Sequence, residues 1–322
     1  MRPIKLVPDN TNVHFLSYRW WALGISIVVL LASVGLVAVR GLNLGVDFIG
    51  GQMFRVHFDQ PANVDDLRTR IDRLGLGEAS IQQFGKPTDV SIRMQLPKGG
   101  EGAANAAAGK VRDAVRSGYP DAKFENVETV SGKVSDELLR SGTIALTLAM
   151  IGISLFIWFR FEWQFGVGAL VTLVHDVIIT FGFFALTQLE FNLNVVAAVL
   201  TIIGYSLNDT IIVYDRIREN LKKWRKMDIE SLLNLSVNET LSRTIVTSLS
   251  MILTLTVLLL VGPDVSFGFT AAMLLGIVIG TFSSIYISAP ILIWLNVKSD
   301  SFVPKDTVAG SNERVQREGF VK

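Results

Sequence analysis

Only a few ionisable side chains lie inside the long apolar stretches of this 322-residue sequence. His175 and Asp176 lie about twelve residues into one stretch. Asp209 follows Asn208 in the next stretch, and Arg243 begins the one after it. A charged side chain at the centre of a membrane helix costs about 2.5–3.5 kcal/mol on insertion scales, so each of these residues is a candidate for function. The chemistry that they could perform is the binding and release of a proton.

Asp209 and Arg243 flank one basic segment of the sequence. If they lie on two antiparallel helices, both are in the same half of the membrane, and the arginine stem can carry its guanidinium several ångströms towards the acid. Removal from water favours a neutral carboxyl group, whereas a nearby cation favours the ionised form. A carboxylate that gains and loses such a partner could load and release a proton. A static ion pair that holds two helices together is the open alternative.

The other polar candidates also have structural alternatives. Neighbouring residues on one helix point in different directions, so Asp176 could face the protein interior while His175 reaches another helix. A hydrogen-bonded packing pair is the alternative for these two residues. Asp215 and Arg216 follow near the water-exposed end of the stretch that carries Asp209, where a capping or surface role is the simpler interpretation.

Small residues occur at helical spacing in two of the apolar stretches. Gly276 and Gly280 form a G-x-x-x-G pattern, and Ser283 and Ser284 follow one turn later. Such patterns let two membrane helices approach closely, so they predict packing rather than a transport role. Gly204 and Ser206, beside Asp209, could likewise contribute a thin and hydrated helix face.

The elements that must position these residues are membrane helices. Hydrophobic residues make up 50% of the sequence and charged residues 18%, and the mean hydropathy is +0.43. These values exclude a disordered chain, a coiled coil and an ordinary soluble enzyme. A membrane-spanning helix needs about 20 apolar residues. The six stretches that qualify are Trp20–Val39, Ser141–Phe159, Phe165–Leu186, Val195–Val213, Thr244–Val261 and Thr270–Leu295. The first is longer than the core of a signal peptide and no clear cleavage site follows it, so we expect an uncleaved anchor.

Basic residues in the short loops indicate the orientation of these helices. Lys and Arg occur in the N-terminal tail, after the second and fourth stretches and in the C-terminal tail, whereas loops 187–194 and 262–269 contain none. Basic loops stay in the cytoplasm, so we expect both termini there. The predicted organisation is a cytoplasmic tail at 1–19, a first helix at 20–39, an extracytoplasmic domain at 40–139, a five-helix membrane region at 140–296 with a basic cytoplasmic segment at 216–242, and a cytoplasmic tail at 297–322.

The extracytoplasmic segment has the pattern of a small α+β domain. Its predicted strands are Gln52–Phe58, Ala79–Phe84, Val90–Leu96 and Lys123–Val130, and its predicted helices are Val64–Leu74 and Ala103–Val115. The order βαββαβ is that of a ferredoxin-like domain. It has no phosphate-binding loop or nucleophile arrangement, so we expect a binding or mechanical role. We expect the domain to move as a unit, hinged at Gly50–Gly51 and near Gly132.

Several other classes of function lack their characteristic residues. The sequence has no cysteine and only three histidines, so a cysteine-ligated or histidine-rich metal site is not expected. Its net charge of +1 provides no global field for nucleic acid. It has no G-x-x-x-x-G-K-[ST], H-E-x-x-H or G-x-S-x-G pattern, which argues against an ATPase and an intramembrane hydrolase. The basic segment is amphipathic, so it could lie on anionic lipid or dock a cytoplasmic partner.

Five stretches carry more specific motifs. The strongest is Gly204–Asn220, with the sequence GYSLNDTIIVYDRIREN, and Leu44–Gly51, just after the first apolar stretch, has the sequence LGVDFIGG. The others are Val174–Asp176, Thr240–Ser248 and Gly276–Tyr286. In this order and at this spacing they resemble the SecF family, the SecF subunits of the bacterial SecD–SecF protein-export complex, over almost the whole chain.

The resemblance implies one half of a transporter similar to the resistance-nodulation-division family, paired with SecD in the inner membrane. It implies action with the SecYEG channel and the SecA motor on exported unfolded chains, late in translocation and driven by the proton-motive force. YajC is a further partner that the resemblance allows, and membrane lipids surround the complex. It implies neither enzymatic activity nor a cofactor, with the proton as coupling ion. A scaffold that stabilises the channel or SecD without carrying protons is the alternative, and it should tolerate Asp209→Asn.

The resemblance also assigns roles to residues. Asp209 and Arg243 match the family's intramembrane proton-coupling pair, and the supporting polar residues are Asn208, His175 and Asp176. The residues with motif or structural roles are Asp47, Gly50, Gly51, Gly204, Asp215 and Arg216.

Overall fold

The computed structural model describes residues 8 and 11–297, except residues 78, 85, 98, 99, 126, 264 and 265. The predicted C-terminal tail beyond residue 297 and most of residues 1–10 lie outside the described residues. The helices are α1 (Arg19–Arg40), α2 (Val46–Ile49), α3 (Val64–Asp72), α4 (Gly100–Gly118), α5 (Gly132–Arg160), α6 (Trp163–Thr187), α7 (Leu193–Lys223), α8 (Ile229–Val261), α9 (Phe267–Tyr286) and α10 (Ser288–Trp294). The strands are β1 (Gly51–His57), β2 (Ala79–Phe84), β3 (Lys86–Met94), β4 (Lys123–Phe124) and β5 (Glu128–Val130).

Six helical segments in the described part of the chain are long and apolar enough to cross a membrane, which confirms the predicted number. They are α1, α5, α6, α7, α8 and the consecutive pair α9–α10. The segments form two classes. The most apolar part is 56% buried in α6, α7 and α9–α10, but only 22%, 11% and 17% buried in α1, α5 and α8. Helices α6, α7 and α9–α10 therefore form the interior of the bundle, whereas α1, α5 and α8 present apolar surface outwards.

Four helix boundaries differ clearly from the prediction. Helix α5 begins at Gly132 rather than near 140, because the Ser131 hydroxyl accepts the Val134 N–H (3.4 Å) and starts the helix before its apolar part. Helices α7 and α8 continue into the basic segment and form a helical hairpin, instead of one helix along the surface. Asp228 caps α8 by accepting the N–H groups of Glu230 and Ser231. The last span is divided into α9 and α10 at Ile287.

The predicted ferredoxin-like domain is confirmed. Its sheet has the order β2-β3-β1-β4, with β5 also paired to β1, and all neighbouring strands are antiparallel. Phe54 lies opposite Ile92 in the central strand pair. These two residues form one buried core with Leu67 of α3 and Val111 of α4. Burying one such side chain contributes about 1.5–3 kcal/mol, so the alternating apolar residues are sufficient to form this small core.

Candidate functional site

Asp209 lies near the middle of α7 and is 4% exposed. Its Oδ1 accepts a hydrogen bond from Thr244 Oγ1 of α8 (2.9 Å), and its Oδ2 accepts one from Ser284 Oγ of α9 (3.0 Å). Hydroxyl groups can donate to an ionised carboxylate and can also accept from a protonated one. The carboxyl group therefore has suitable partners in both protonation states at a point where three helices meet.

Arg243 directly precedes Thr244 on α8. It is exposed, and the described residues contain no ion pair between the two side chains. Adjacent residues on a helix face different directions, and Thr244 occupies the inward position. The structure thus brings the predicted residues to neighbouring positions without direct contact, and their pairing stays a prediction.

His175 and Asp176 lie in the middle of α6 and are buried. Asp176 Oδ1 is 2.9 Å from His175 Nδ1, and Asp176 Oδ2 accepts hydrogen bonds from Ser206 Oγ of α7 (2.5 Å) and Ser283 Oγ of α9 (2.9 Å). His175 Nε2 is 2.6 Å from Ser26 Oγ of α1. The two side chains bond each other, which is the hydrogen-bonded pair of the alternative interpretation, and His175 also reaches α1. The resulting network spans four helices.

The glycine pattern of α9 explains how its serines reach both carboxylates. A Cβ atom on Gly276 would lie 2.4 Å from Ile202 Cγ1, and one on Gly280 would lie 3.1 Å from Ser206 Cβ. Larger residues would push α9 away from α7, so the predicted packing role accounts for these glycines. The close approach places two adjacent serines, Ser283 and Ser284, between the two acids.

Two other predicted residues lie on the outward side of α7. Asn208 and Gly204 are exposed, and no atom lies within 4 Å of a Cβ built on Gly204. Exposed Arg243 lies on the neighbouring helix α8. The isolated chain therefore presents polar groups at membrane depth on the side of these helices that faces away from its own core.

Asp215 and Arg216 take part in ion pairs near the end of the membrane region. Asp215 Oδ1 is 3.0 Å from Arg160 Nη2 of α5, and Arg216 Nε is 2.7 Å from Glu239 Oε2 of α8. Each pair joins α7 to a neighbouring helix at a partly exposed position. This arrangement agrees with the simpler surface interpretation of both residues.

The glycine motif after α1 connects the outer domain to the membrane helices. Asp47 Oδ2 accepts the N–H of Leu193, the first residue of α7, at 2.9 Å. Gly50 and Gly51 have φ values of +73° and +123°. A Cβ on Gly51 would lie 2.4 Å from the Met94 carbonyl oxygen, so only glycine permits the backbone to pass there. The motif thus places an acid at the start of the helix that carries Asp209.

Two backbone hydrogen bonds strengthen this joint between the outer domain and the membrane helices. Gly45 N–H donates to Phe191 O (2.9 Å), and Phe191 N–H donates to Asn43 O (2.8 Å). Glu190, in the same loop, is partly buried, and this burial raises the pKa of its carboxyl group, whereas Arg55 and Arg93 act to lower it. Sequence reasoning missed Glu190, although an acid in a loop without Lys or Arg was a usable signal.

Comparisons with known proteins agree with this geometry. A family described as protein export membrane protein SecD/SecF, C-terminal, matches residues 110–298, and one described as the SecD/SecF GG motif matches residues 35–62. The protein translocase subunit SecF of Rhodobacter capsulatus is 42% identical over 306 residues, which cover 91% of this chain and 92% of that protein. The chain belongs to the SecF family. The SecF subunit of Cereibacter sphaeroides is 41% identical over 315 residues, covering 96% of this chain and 97% of the relative.

Solved structures of SecDF contain the same fold as this SecF-family chain. The crystal structure of SecDF, a translocon-associated membrane protein from Thermus thermophilus, matches with a TM-score of 0.83 and 32% identity over 92% of this chain. A super-membrane-facing form of SecDF matches with a TM-score of 0.67 and 30% identity over all of it. This chain spans 40% and 42% of those SecDF chains. The SecF-family protein is therefore a multi-pass inner-membrane protein and a component of protein transport.

The hydroxyl groups that bond Asp209, Asp176 and His175 in this SecF-family chain were not predicted as part of the site. Ser206 precedes Asp209 by three residues, a spacing that places both on one side of a helix. Thr244 directly follows Arg243, and Ser26 lies in an apolar stretch that we interpreted only as an anchor. Such spacing is a usable signal for Ser206, but the contacts of Ser26 and Thr244 depend on how separate helices pack.

Proposed function

We propose that this chain forms, with SecD, a membrane complex that uses the proton-motive force to assist late export of unfolded chains through the SecYEG channel. SecA, which the resemblance implies as the motor, would act before this stage, and YajC is a further candidate partner. The observation that carries the proposal is the buried Asp209 carboxyl group, which is held by hydroxyls from two neighbouring helices. A proton supplies about 2.3 kcal/mol per 100 mV, so moving a long chain requires several cycles.

The proposed orientation follows from the basic loops. Both termini and the α7–α8 hairpin are cytoplasmic, and the ferredoxin-like domain is periplasmic. Asp209 is then reached by protons from the periplasmic side and releases them towards the basic cytoplasmic end of α7. Asp47 of the glycine motif caps the opposite, periplasmic end of the same helix.

Thr244 and Arg243 suggest how protonation changes the structure. Consecutive residues are about 100° apart around a helix with 3.6 residues per turn. Rotation of α8 by this angle would therefore replace Thr244 with Arg243 beside Asp209. We propose that the ionised carboxylate can pair with Arg243, whereas the protonated form needs no cation and keeps hydroxyl partners such as Thr244.

The link between Asp47 and α7 provides a route from the site to the outer domain. Asp47 lies in α2, directly before the glycines that lead into β1, and it bonds the first turn of α7. A shift of α7 that follows protonation would move this acid and the adjacent domain. The domain would then pull on an emerging chain.

SecD would cover the outward polar side of α7 and α8. Asn208 and Arg243 are exposed there in the isolated chain. Polar groups that face lipid are costly, so a protein partner at this surface is favoured. SecDF chains contain a segment similar to the whole of this chain together with further sequence, which supports SecD as that partner.

The test compares Asp209→Asn with wild type in the assembled complex. Asparagine preserves the shape and most hydrogen bonds but cannot titrate, so we expect normal assembly and loss of export that depends on the proton-motive force. Thr210→Val is the matched control, because it removes a buried neighbouring hydroxyl without removing an acid. Full proton-dependent export by a normally assembled Asp209→Asn complex would refute the proposal and favour the scaffold.

A further inference from the structure

The proposed function uses Asp209 and leaves a second buried acid, Asp176, without a role. Asp176 lies at mid-helix in α6, and both of its oxygens accept hydrogen bonds. His175 also uses both ring nitrogens, one towards Asp176 and one towards Ser26. Ionisable groups at this depth in a membrane helix are costly, so this fully hydrogen-bonded pair is a candidate for function.

We propose that His175 and Asp176 form a second proton-holding site, coupled to Asp209 through the adjacent serines of α9. This inference rests on the proposed function, because it assumes that Asp209 carries the first proton. Ser283 donates to Asp176 and Ser284 donates to Asp209. One turn of α9 therefore contacts both acids.

One proton decides the net charge of the pair. With Asp176 ionised and His175 neutral the pair has a net charge of −1, and a proton on the Asp176 carboxyl oxygen makes it neutral. The groups that face the pair from the other helices are the hydroxyls of Ser26, Ser206 and Ser283. Within the described residues, no Lys or Arg forms a hydrogen bond or an ion pair with either side chain. An uncompensated charge in this setting is expensive, so a proton is the charge that can balance it.

The serines give the two acids a physical connection. A serine hydroxyl that donates to an ionised carboxylate must reorient when that carboxyl group itself becomes a donor. Ser206 adds a second link, because it bonds Asp176 from the same side of α7 that carries Asp209. Protonation of one acid therefore changes the hydrogen bonds and the position of the helix that holds the other.

The test is infrared spectroscopy of the purified complex during a pH titration, read at the carbonyl stretch of protonated carboxyl groups. We expect Asp176→Asn to remove one such band and Asp209→Asn to remove another. In each variant, the pH midpoint of the remaining band should shift. The shift should correspond to a change of at least threefold in proton affinity. Proton-driven export by Asp176→Asn should fall at least tenfold, and Asp176→Glu, which keeps the carboxyl group, should restore part of it.

Two further variants make the test specific. Ser283→Ala should leave both bands but reduce the mutual shift, whereas Thr172→Val should change neither, because the Thr172 hydroxyl bonds only the Gly168 carbonyl of its own helix. A spectrum of Asp176→Asn identical to wild type would overturn the second site. Loss of the Asp176 band alone, with no band assigned to Asp209, would contradict the proposed function but leave Asp176 as a proton-holding residue.

Discussion

Buried acids have different partners in the outer domain and in the membrane bundle. In the outer domain, Asp89 is 3% exposed and lies 2.5 Å from His57 Nδ1, while the partly exposed Glu128 lies 2.7 Å from the buried Arg55 Nη1. In the membrane bundle, Asp209 bonds only hydroxyl groups. An acid with a basic partner is stabilised in its ionised form, whereas an acid among neutral donors can change its protonation state at lower cost. The difference distinguishes Asp209, whose partners are all hydroxyl groups, from the acids of the outer domain, which are paired with basic side chains.

At the joint between the outer domain and the membrane bundle, the acids have partners of an intermediate kind. Asp47 bonds a backbone N–H at the start of α7, and Glu190 is partly buried near arginines that do not fully offset its loss of hydration. The comparison therefore predicts a graded series of effects when these acids are replaced. Substitutions in the outer domain should change stability alone, and those in the bundle should change transport alone.

The largest effect on stability is expected for Asp89→Asn. A hydrogen bond to a charged group contributes about 1.5–3 kcal/mol, so we expect the free energy of opening of β1 and β3 to fall by about that amount. Hydrogen–deuterium exchange of the purified full chain measures this change at the amides of the two strands. The control is Asp59→Asn, which removes an exposed ion pair with Lys123 and should change the opening free energy by about 0–1 kcal/mol. Unchanged exchange in Asp89→Asn would contradict a structural role.

A smaller effect is expected for Asp47→Ala at the joint. Loss of a side-chain cap at a helix start costs about 1 kcal/mol, so the first turn of α7 should exchange faster while the strands of the outer domain stay protected. Proton-driven export should slow, because the cap also joins the domain to α7. Asp121→Ala, at an exposed position, is the control. Faster exchange without slower export would show that the cap is structural only.

The smallest effect is expected for Glu190→Gln, and it depends on pH. The usual pKa of glutamate is about 4.5 and burial raises it in the folded protein. Between these two values the folded protein holds more protons than the unfolded chain, so the free energy of unfolding decreases as the pH rises through this window. Glutamine carries no charge, so it should remove this dependence and stabilise the joint at neutral pH.

The backbone amides of Gly45 and Phe191 provide the measurement, because they pair across this joint. Their exchange, corrected for the intrinsic effect of pH, should become less protected with rising pH in wild type and stay constant in Glu190→Gln. An identical pH dependence in the two proteins would assign it to another group.

Local patterns predicted most of the architecture. Apolar stretches of membrane length identified six spans, and alternation with helical spacing predicted the ferredoxin-like domain. Boundaries were less predictable, because polar residues at the ends of α5, α7 and α8 lower hydropathy without ending a helix. Caps such as Ser131 and Asp228 mark where two of those helices begin.

The candidate site was predictable only in part. Asp209 and Asp176 stood out because acids are rare in apolar stretches, and a single sequence is sufficient to find them. Which residue of α8 faces Asp209 depends on the rotation of that helix against α7, so the inward position of Thr244 and the outward position of Arg243 could not be derived from spacing. Contacts between separate helices, such as Ser26 with His175, had the same limitation.

Proton entry during export tests the central claim most directly. The complex is placed in vesicles with an imposed proton gradient and a chain held in the channel, and a pH-sensitive dye reports internal acidification. We predict that wild-type protein carries protons only while the chain moves, and that Asp209→Asn, at equal assembly, carries none and moves the chain no faster than without a gradient. Equal proton entry and equal chain movement in Asp209→Asn and wild type would contradict the account.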